Sequence, residues 1–367
     1  IDCMDEDIYY SLEKIKKVLQ RLYPNTAFKG NLLPKQLVKN RLAVPPVDSN
    51  NSVALLFSHG LDSVALSFDY PDKAQLLISA HGQDDLPVND TTLWAHEKDR
   101  FVKYAQVYGH TNAFVRSNYT EFVHRWKLDY RVSSDITGWK LDTTEGVGLF
   151  GIVAPILFTK GYSELQIASS YTWSSPYPTA ANPFVDGHVL LAGSIRLKHG
   201  HFDKTRFDKV QLIADLVKRK NIPAPYLKVC EYNPYREAKK TLGNCCVNCS
   251  KCRMTALTLA ALGEKLSSYG FNSSETEISQ AAHEYVLHNK QGHWQAWNWY
   301  DIQTRLKSME EVPASLKWIL SIDFTKLTYA NNYGTRPRAL WDNFRDIAPA
   351  DLIIPKDYLK GSLLPPE

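Results

Sequence analysis

The sequence predicts an α/β protein: a five-stranded, doubly wound parallel sheet, then a cysteine-rich loop, then a mainly helical C-terminal region. Three observations carry this. Short apolar runs alternate with helix-length segments between residues 53 and 230, and five of the six cysteines fall between Cys230 and Cys252. From about residue 270 onward the apolar β-type runs give way to helical patterns rich in tryptophan (Trp294, Trp297, Trp299, Trp318 and Trp341).

The elements follow in order. Ile8, Leu12, Ile15, Val18, Leu19 and Leu22 recur at helical spacing, so 5–23 reads as an amphipathic helix. Residues 31–51 hold Pro34, Pro45 and Pro46 and end in Asp48-Ser49-Asn50-Asn51, which marks a connector. Strands are expected at 53–57, 75–80, 113–116, 164–168 and 226–230. Helices are expected at 62–68, 92–108, 145–160 and 205–218, with Gly109 and Gly161 at helix stops. Right-handed crossovers then place a ligand crevice beyond the carboxyl ends of the strands. An Ala/Leu-rich helix over 254–262 ends at Gly263. The chain divides into an N-terminal helical extension and connector (1–48), the sheet unit with its cysteine-rich loop (49–269) and the aromatic-rich C-terminal region (270–367).

Composition excludes several classes. With 44% hydrophobic and 22% charged residues the chain is globular, and a net charge of +4 without like-charge blocks demands neither a nucleic-acid nor a membrane partner. The longest uncharged stretch, 146–159, is too short to span a bilayer and contains Pro155. The acidic start, Ile1 to Asp7, is no signal peptide, and the absence of an initiator Met suggests a processed or trimmed chain. These readings point to the cytoplasm. A homodimer is left open.

The expected first strand runs directly into Ser58-His59-Gly60-Leu61-Asp62-Ser63 and a helix. A tight turn opening a helix presents unpaired amides to an anion. Ser58 and Ser63 add hydroxyl donors, Gly60 allows close backbone approach, and Asp62 can hold Mg²⁺ against phosphates. The bland alternative is that Ser58 and Asp62 only cap a helix. The string resembles the Ser-Gly-Gly-x-Asp-Ser signature of the PP-loop ATP pyrophosphatases, which include 7-cyano-7-deazaguanine synthase, GMP synthetase and tRNA thiolation enzymes. That resemblance implies an adenine nucleotide alpha hydrolase-like sheet and cleavage of ATP between its α and β phosphates. It implies phosphate and Mg²⁺ contacts from Ser58, Gly60, Leu61, Asp62 and Ser63, and adenosine contacts near Ala80, His81 and Gly82. His59 departs from the pattern, standing where the family has Gly. Its imidazole is expected to project toward the pyrophosphate, either as an extra donor or as a sign of weakened catalysis.

Cys246, Cys249 and Cys252 stand at x2 spacing, and Cys230 is a candidate fourth thiolate for tetrahedral Zn²⁺. Free buried thiols, disulfides and an iron–sulfur cluster are the alternatives. The arrangement is similar to the four-Cys zinc site of 7-cyano-7-deazaguanine synthase and its relatives, with one extra residue: the doubled Cys245-Cys246 leaves the first ligand ambiguous, x2 spacing favours Cys246, and Cys245 is then a spare thiol. Arg206 and Lys209 share one face of a helix start, where a bound anion would offset the unfavourable helix dipole, although a solvated basic face reads the same way. The resemblance implies that they hold the α phosphate or the leaving pyrophosphate, bordered by Ser169 and Ser170. Trp173, Tyr177 and Pro178 are expected to shape a substrate pocket. The tryptophan run from Trp294 packs on the sheet or stacks on a ligand, and His283, His288 and His293 are surface residues.

The expected activity is adenylation of a small-molecule or peptide substrate: its oxygen becomes an AMP ester, pyrophosphate leaves, and a nitrogen nucleophile displaces AMP to form a C–N bond. ATP, Mg²⁺ and Zn²⁺ are the expected cofactors. Asp62, at a surface crevice, is expected to be replaceable by Ala without loss of fold. Sulfur transfer, with a persulfide on Cys245, is the neighbouring alternative. A non-catalytic, zinc-stabilised nucleotide-binding module, suggested by His59, is the alternative from another class.

Overall fold

Residues 53–56 (Val-Ala-Leu-Leu) alternate between two apolar environments, and that alternation shows how the sheet is buried. Leu55 belongs to one core and Ala54 to another, as Leu77 and Leu76 do on the next strand. A strand buried on both faces needs helices on both sides. The computed structural model describes residues 1–42, 53–83, 85–129, 131–136, 138–174, 178–230, 249–327 and 341–355. It is a mixed α/β fold with a mostly parallel sheet.

The strands are β1 (Cys3–Asp5), β2 (Gln36–Val38), β3 (Val53–Leu56), β4 (Gln75–His81), β5 (Thr111–Arg116), β6 (Glu164–Ala168), β7 (Leu190–Leu191) and β8 (Ile195–Gly200). The main sheet has six strands in the order β5-β4-β3-β6-β8-β7; all neighbours pair in parallel except β7, which is antiparallel to β8. The long helices are α1 (Glu6–Leu22), α2 (Leu61–Ser67), α3 (Thr91–Tyr108), α4 (Glu145–Lys160), α5 (Arg206–Lys220), α6 (Ser250–Ala261), α7 (Glu275–His288) and α8 (His293–Lys307). Helices α2, α3, α5, α6, α7 and α8 fill one face, and α1 and α4 the other. Residues on both sides of position 270 share the first core: Leu257 of α6 and Trp299 and Ile302 of α8 are all buried in it.

One expected strand is absent and another takes its place. Residues 226–230 pair with no strand among the described residues. Leu227 N donates to Tyr269 O and Lys228 N to His59 O (2.7 Å), so the segment crosses the Ser58–Ser63 loop instead. Leu227 and Val229 are buried while their neighbours are half-exposed, so the period of two was real. It reports extended backbone lying on a core, not a ladder. The parallel strand beyond β6 is β8, where Ile195 and Leu197 alternate with exposed Arg196 and Lys198. The same alternation was present in the sequence, beneath its basic residues.

Among the described residues, one helical run, Lys140–Lys160, is long and apolar enough to cross a bilayer by length and composition. It begins as a π-helical turn, Lys140–Thr144, and continues as α4, whose Phe150, Val153 and Leu157 pack into the second core.

Candidate functional site

The carboxyl ends of β3 and β6 are adjacent, and the chain leaves them toward opposite edges of the sheet. Such a reversal opens a crevice, because the two following connections diverge. A cleft of about 510 Å³ lies there, lined among others by Ser58, Gly60, Asp62, Ser63, Ala80 and Arg206. That volume is within the range of small-molecule sites.

Its floor is a buried ion pair. Lys209 Nζ donates to Asp62 Oδ1 at 2.7 Å and also to the carbonyl of Ser169, while Ser170 Oγ donates to Asp62 Oδ2 at 3.1 Å. The side chains of Lys209 and Asp62 are 2% and 20% exposed. Burial pushes the Asp62 carboxyl up, but Lys209, Arg206 and Lys251 together outweigh it and hold the carboxyl below its ordinary value. Thr205 caps α5 with a reciprocal capping box, which fixes the first turn that carries Arg206 and Lys209. The Arg206 guanidinium donates to Thr255 Oγ1 at 2.9 Å and lies over the Trp294 ring, leaving its buried Nε without a partner among the described residues. Lys251 Nζ sits 6.0 Å from the same ring. A buried guanidinium with an unspent donor, beside a second cation, is suited to an anion.

The loop itself is held by its own hydroxyls. Ser63 Oγ donates to Gly60 O at 3.1 Å, and Ser58 N donates to Ser63 Oγ at 3.3 Å. The left-handed residue is His59, with φ of 62°, while Gly60 has an ordinary φ of −66°. The Gly of the resembling signature therefore stands where the backbone requires positive φ. The imidazole does not project toward the cleft. It is 2% exposed and sits among the rings of Phe57, Phe101, Tyr104 and Tyr226, with centroids 5.0 to 6.1 Å away. Burial first, then Lys228 and Arg100, lower its pKa to about 3. His59 is thus a neutral core residue, and only its backbone belongs to the loop.

Several expected contacts are redistributed. Ala80 lines the cleft, but His81 turns onto Trp94, stacked at 4.6 Å, and its Nε2 lies 3.0 Å from Pro87 O. Gly82 has φ of 107°, and a Cβ there would meet Ser117 O at 1.7 Å, so its need for glycine is set by chain packing. Ser169 is fully buried and donates to Tyr171 O, so the hydroxyl at the cleft belongs to Ser170. Trp173 does not line this cleft: it is buried against Phe184, Phe202 and Trp341, whose indole N–H donates to its carbonyl. Pro178 is buried too, and Tyr177 lies outside the described residues. Of the tryptophan run, Trp297 and Trp299 are core residues and Trp294 meets the site.

The sequence reading missed Lys140, Glu145, Lys228 and Asp85 on the cleft wall. Lys228 and Asp85 pair at 2.7 Å, and Lys140 and Glu145 at 3.5 Å. Nothing in their local spacing marks them, because they come from separate connections. Lys251 had a signal, its place beside Cys252 in the cysteine motif.

The Sγ atoms of Cys230, Cys249 and Cys252 lie within 4.8 Å of one another, with Cys249 and Cys252 buried. Cys249 caps α6, accepting from Cys252 N at 3.3 Å. Tetrahedral Zn–S bonds of about 2.3 Å place sulfurs about 3.8 Å apart, so a modest contraction completes three ligands. These three cysteines can hold a metal such as zinc. Cys245 and Cys246 lie outside the described residues. Cys230 also lines the cleft, which joins the thiol cluster to the site.

Neither protein-family models nor curated proteins match this chain.

The position of His59 sets a stability prediction. His59→Gly relieves about 1–2 kcal/mol of left-handed strain but empties a ring-lined pocket, where large-to-small changes cost about 3–5 kcal/mol. A net loss of roughly 2 kcal/mol is expected in chemical denaturation. Wild-type stability should also fall with acid. The unfolded chain protonates His59 near its ordinary 6.5 and the folded chain only near 3, so unfolding takes up a proton in between. Each pH unit lost below 6.5 removes up to about 1.4 kcal/mol, and His59→Gly should flatten that slope. An unchanged slope would place the imidazole in solvent.

Proposed function

We propose that the chain is a PP-loop-type ATP pyrophosphatase that adenylates a small-molecule or peptide substrate. The observation that carries this reading is the convergence of Ser58, Asp62, Ser63, Ser170 and Arg206 on one crevice, with Lys209 beneath. The five parallel strands are then the doubly wound, adenine nucleotide alpha hydrolase-like core, and β7 an added edge. The loop amides and hydroxyls receive phosphate oxygens, while Arg206 and Lys251 neutralise charge that develops on the leaving group. Asp62 fits a magnesium ligand: its carboxylate is held ionised and has lone pairs beyond those used by Lys209 and Ser170. Bound there, Mg²⁺ would supply charge neutralisation between the phosphates.

ATP with Mg²⁺ and the small molecules that co-purify with the chain should give AMP and pyrophosphate, resolved by ion-exchange chromatography. ADP and phosphate as products would refute the reading, and nucleotide binding without any cleavage would leave a binding module. Cys230 on the cleft wall favours sulfur transfer as a second reading. Tandem mass spectrometry of the product separates the two, since only the second adds sulfur.

A further inference from the structure

The C-terminal helical region reaches the Ser170 side of the cleft through Trp294. This residue, in the first turn of α8, is half-buried, whereas Trp297 and Trp299 of the same helix are 2% and 1% exposed. Its indole Nε1–H donates to the carbonyl of Ser170 at 3.3 Å, and the Ser170 hydroxyl in turn donates to Asp62 Oδ2. Two cations share the face of the same ring. The Arg206 guanidinium carbon lies 5.3 Å and Lys251 Nζ 6.0 Å from its centroid.

The rest of α8 keeps that indole in place. Gly292 N donates to Gln295 Oε1 at 2.6 Å, closing the first turn, and Gln295 Nε2 donates to Ser250 Oγ at the start of α6. Trp294, Asp301 and Arg305 recur at helical spacing along a face that meets the start of α5. There Asp301 meets the Thr205 side chain, and Arg305 Nη2 donates to Asp208 Oδ1 at 2.6 Å. Apolar packing does not account for an indole at 294. A ring face attracts cations through its quadrupole and its N–H takes an acceptor; here a lysine, an arginine and a carbonyl supply both. The buried indole N–H of Trp297, by contrast, bonds to no described residue.

Two of the groups that Trp294 touches are open to the cleft: Ser170 is exposed, Lys251 is half-buried, and both line it. Arg206 is 6% exposed and adds its charge at short range, as its effect on the Asp62 carboxyl shows. We propose that Trp294 is a positioning residue for the anion that this side of the cleft takes. Its N–H sets the Ser170 backbone and its face fixes Lys251 and Arg206, so the C-terminal region completes the site. This rests on the adenylating reading above, in which that anion is the leaving pyrophosphate.

The test uses the full chain with Mg²⁺ and inorganic pyrophosphate as the probe, read by calorimetry and by the ¹⁵N-indole spectrum. Trp294→Phe assigns the indole resonance. In the wild type that resonance should shift with pyrophosphate and saturate at the calorimetric Kd. Trp294→Leu loses both ring and N–H and should weaken pyrophosphate about tenfold, the scale of a partly desolvated cation–π contact. Trp294→Phe keeps the ring face and should weaken it about threefold, the scale of one modest hydrogen bond. Trp297→Phe is the structural control: it should lower the melting temperature and leave Kd unchanged. An indole resonance that saturating pyrophosphate does not move overturns the positioning role, whether or not the variants fold. So does a Trp294→Leu chain that binds like the wild type, or a Trp297→Phe chain that loses as much affinity as Trp294→Leu. If the wild type melts cooperatively but binds no pyrophosphate, the adenylating reading fails and the role of Trp294 falls with it.

Discussion

Asp62→Asn is expected to lower pyrophosphate release by about 100- to 1000-fold, the scale of removing one charge-stabilising group from a transition state. The assay is ATP with Mg²⁺ and the co-purifying small molecules added back, followed by coupled detection of pyrophosphate. Asn removes the countercharge of Lys209 but keeps the size of the side chain and an acceptor for its ammonium, so it should cost less stability than Ala and the fold should persist. Asp62→Ala is a different experiment, contrary to the expectation from sequence. Lys209 is 2% exposed and depends on Asp62 for its charge partner. Removing one member of a buried pair costs about 3–5 kcal/mol, because the survivor is left charged and desolvated. Asp62→Ala should therefore fail by misfolding, and adding Lys209→Met should recover stability without recovering activity. The same pair predicts an acid limb. Asp62 is held below its ordinary value, so its contribution is complete above the ordinary carboxylate range and is lost as pH falls through the lowered one. If Asp62→Asn turns over like the wild type, the loop does not hold the reacting phosphates.

Cys249→Ser is expected to abolish metal binding and lower the melting temperature by on the order of 10 °C. Cys249 acts twice, as one of three converging thiols and as the cap of α6. That helix is nearly all buried and lies between α5 and the C-terminal helices, so loosening its start loosens the first core. A structural metal contributes its binding energy to folding. Elemental analysis of the wild type should give one zinc per chain; iron with visible absorbance would reject zinc. Cys246→Ser should lose the metal and Cys245→Ser keep it, and the reverse result would exchange the fourth ligand.

Local chemistry was legible in the sequence wherever neighbours in the chain are also neighbours in space. The ends of α3 and α4 at Gly109 and Gly161, strands β3 to β6, the pairing of Cys249 with Cys252 and the turn at Ser58–Ser63 all fall in that class. Periodicity and capping act over one to a few residues, so sequence alone determined them. Tertiary structure decided what depends on the partner. The period of two at 226–230 and at 195–198 is alike in sequence, yet only the second finds a free strand edge at β6. His59 occupies a loop position whose outward or inward rotamer no spacing encodes; the pocket of Phe57, Phe101, Tyr104 and Tyr226 turns it inward. Ser170 but not Ser169 presents its hydroxyl to the cleft, because Ser169 is buried and its Oγ donates to Tyr171 O. His199 meets Asp186 only because β8 and a capped turn converge beside Gly146. Burial and pairing across long sequence separations depend on the whole packed core, and no local pattern carries them.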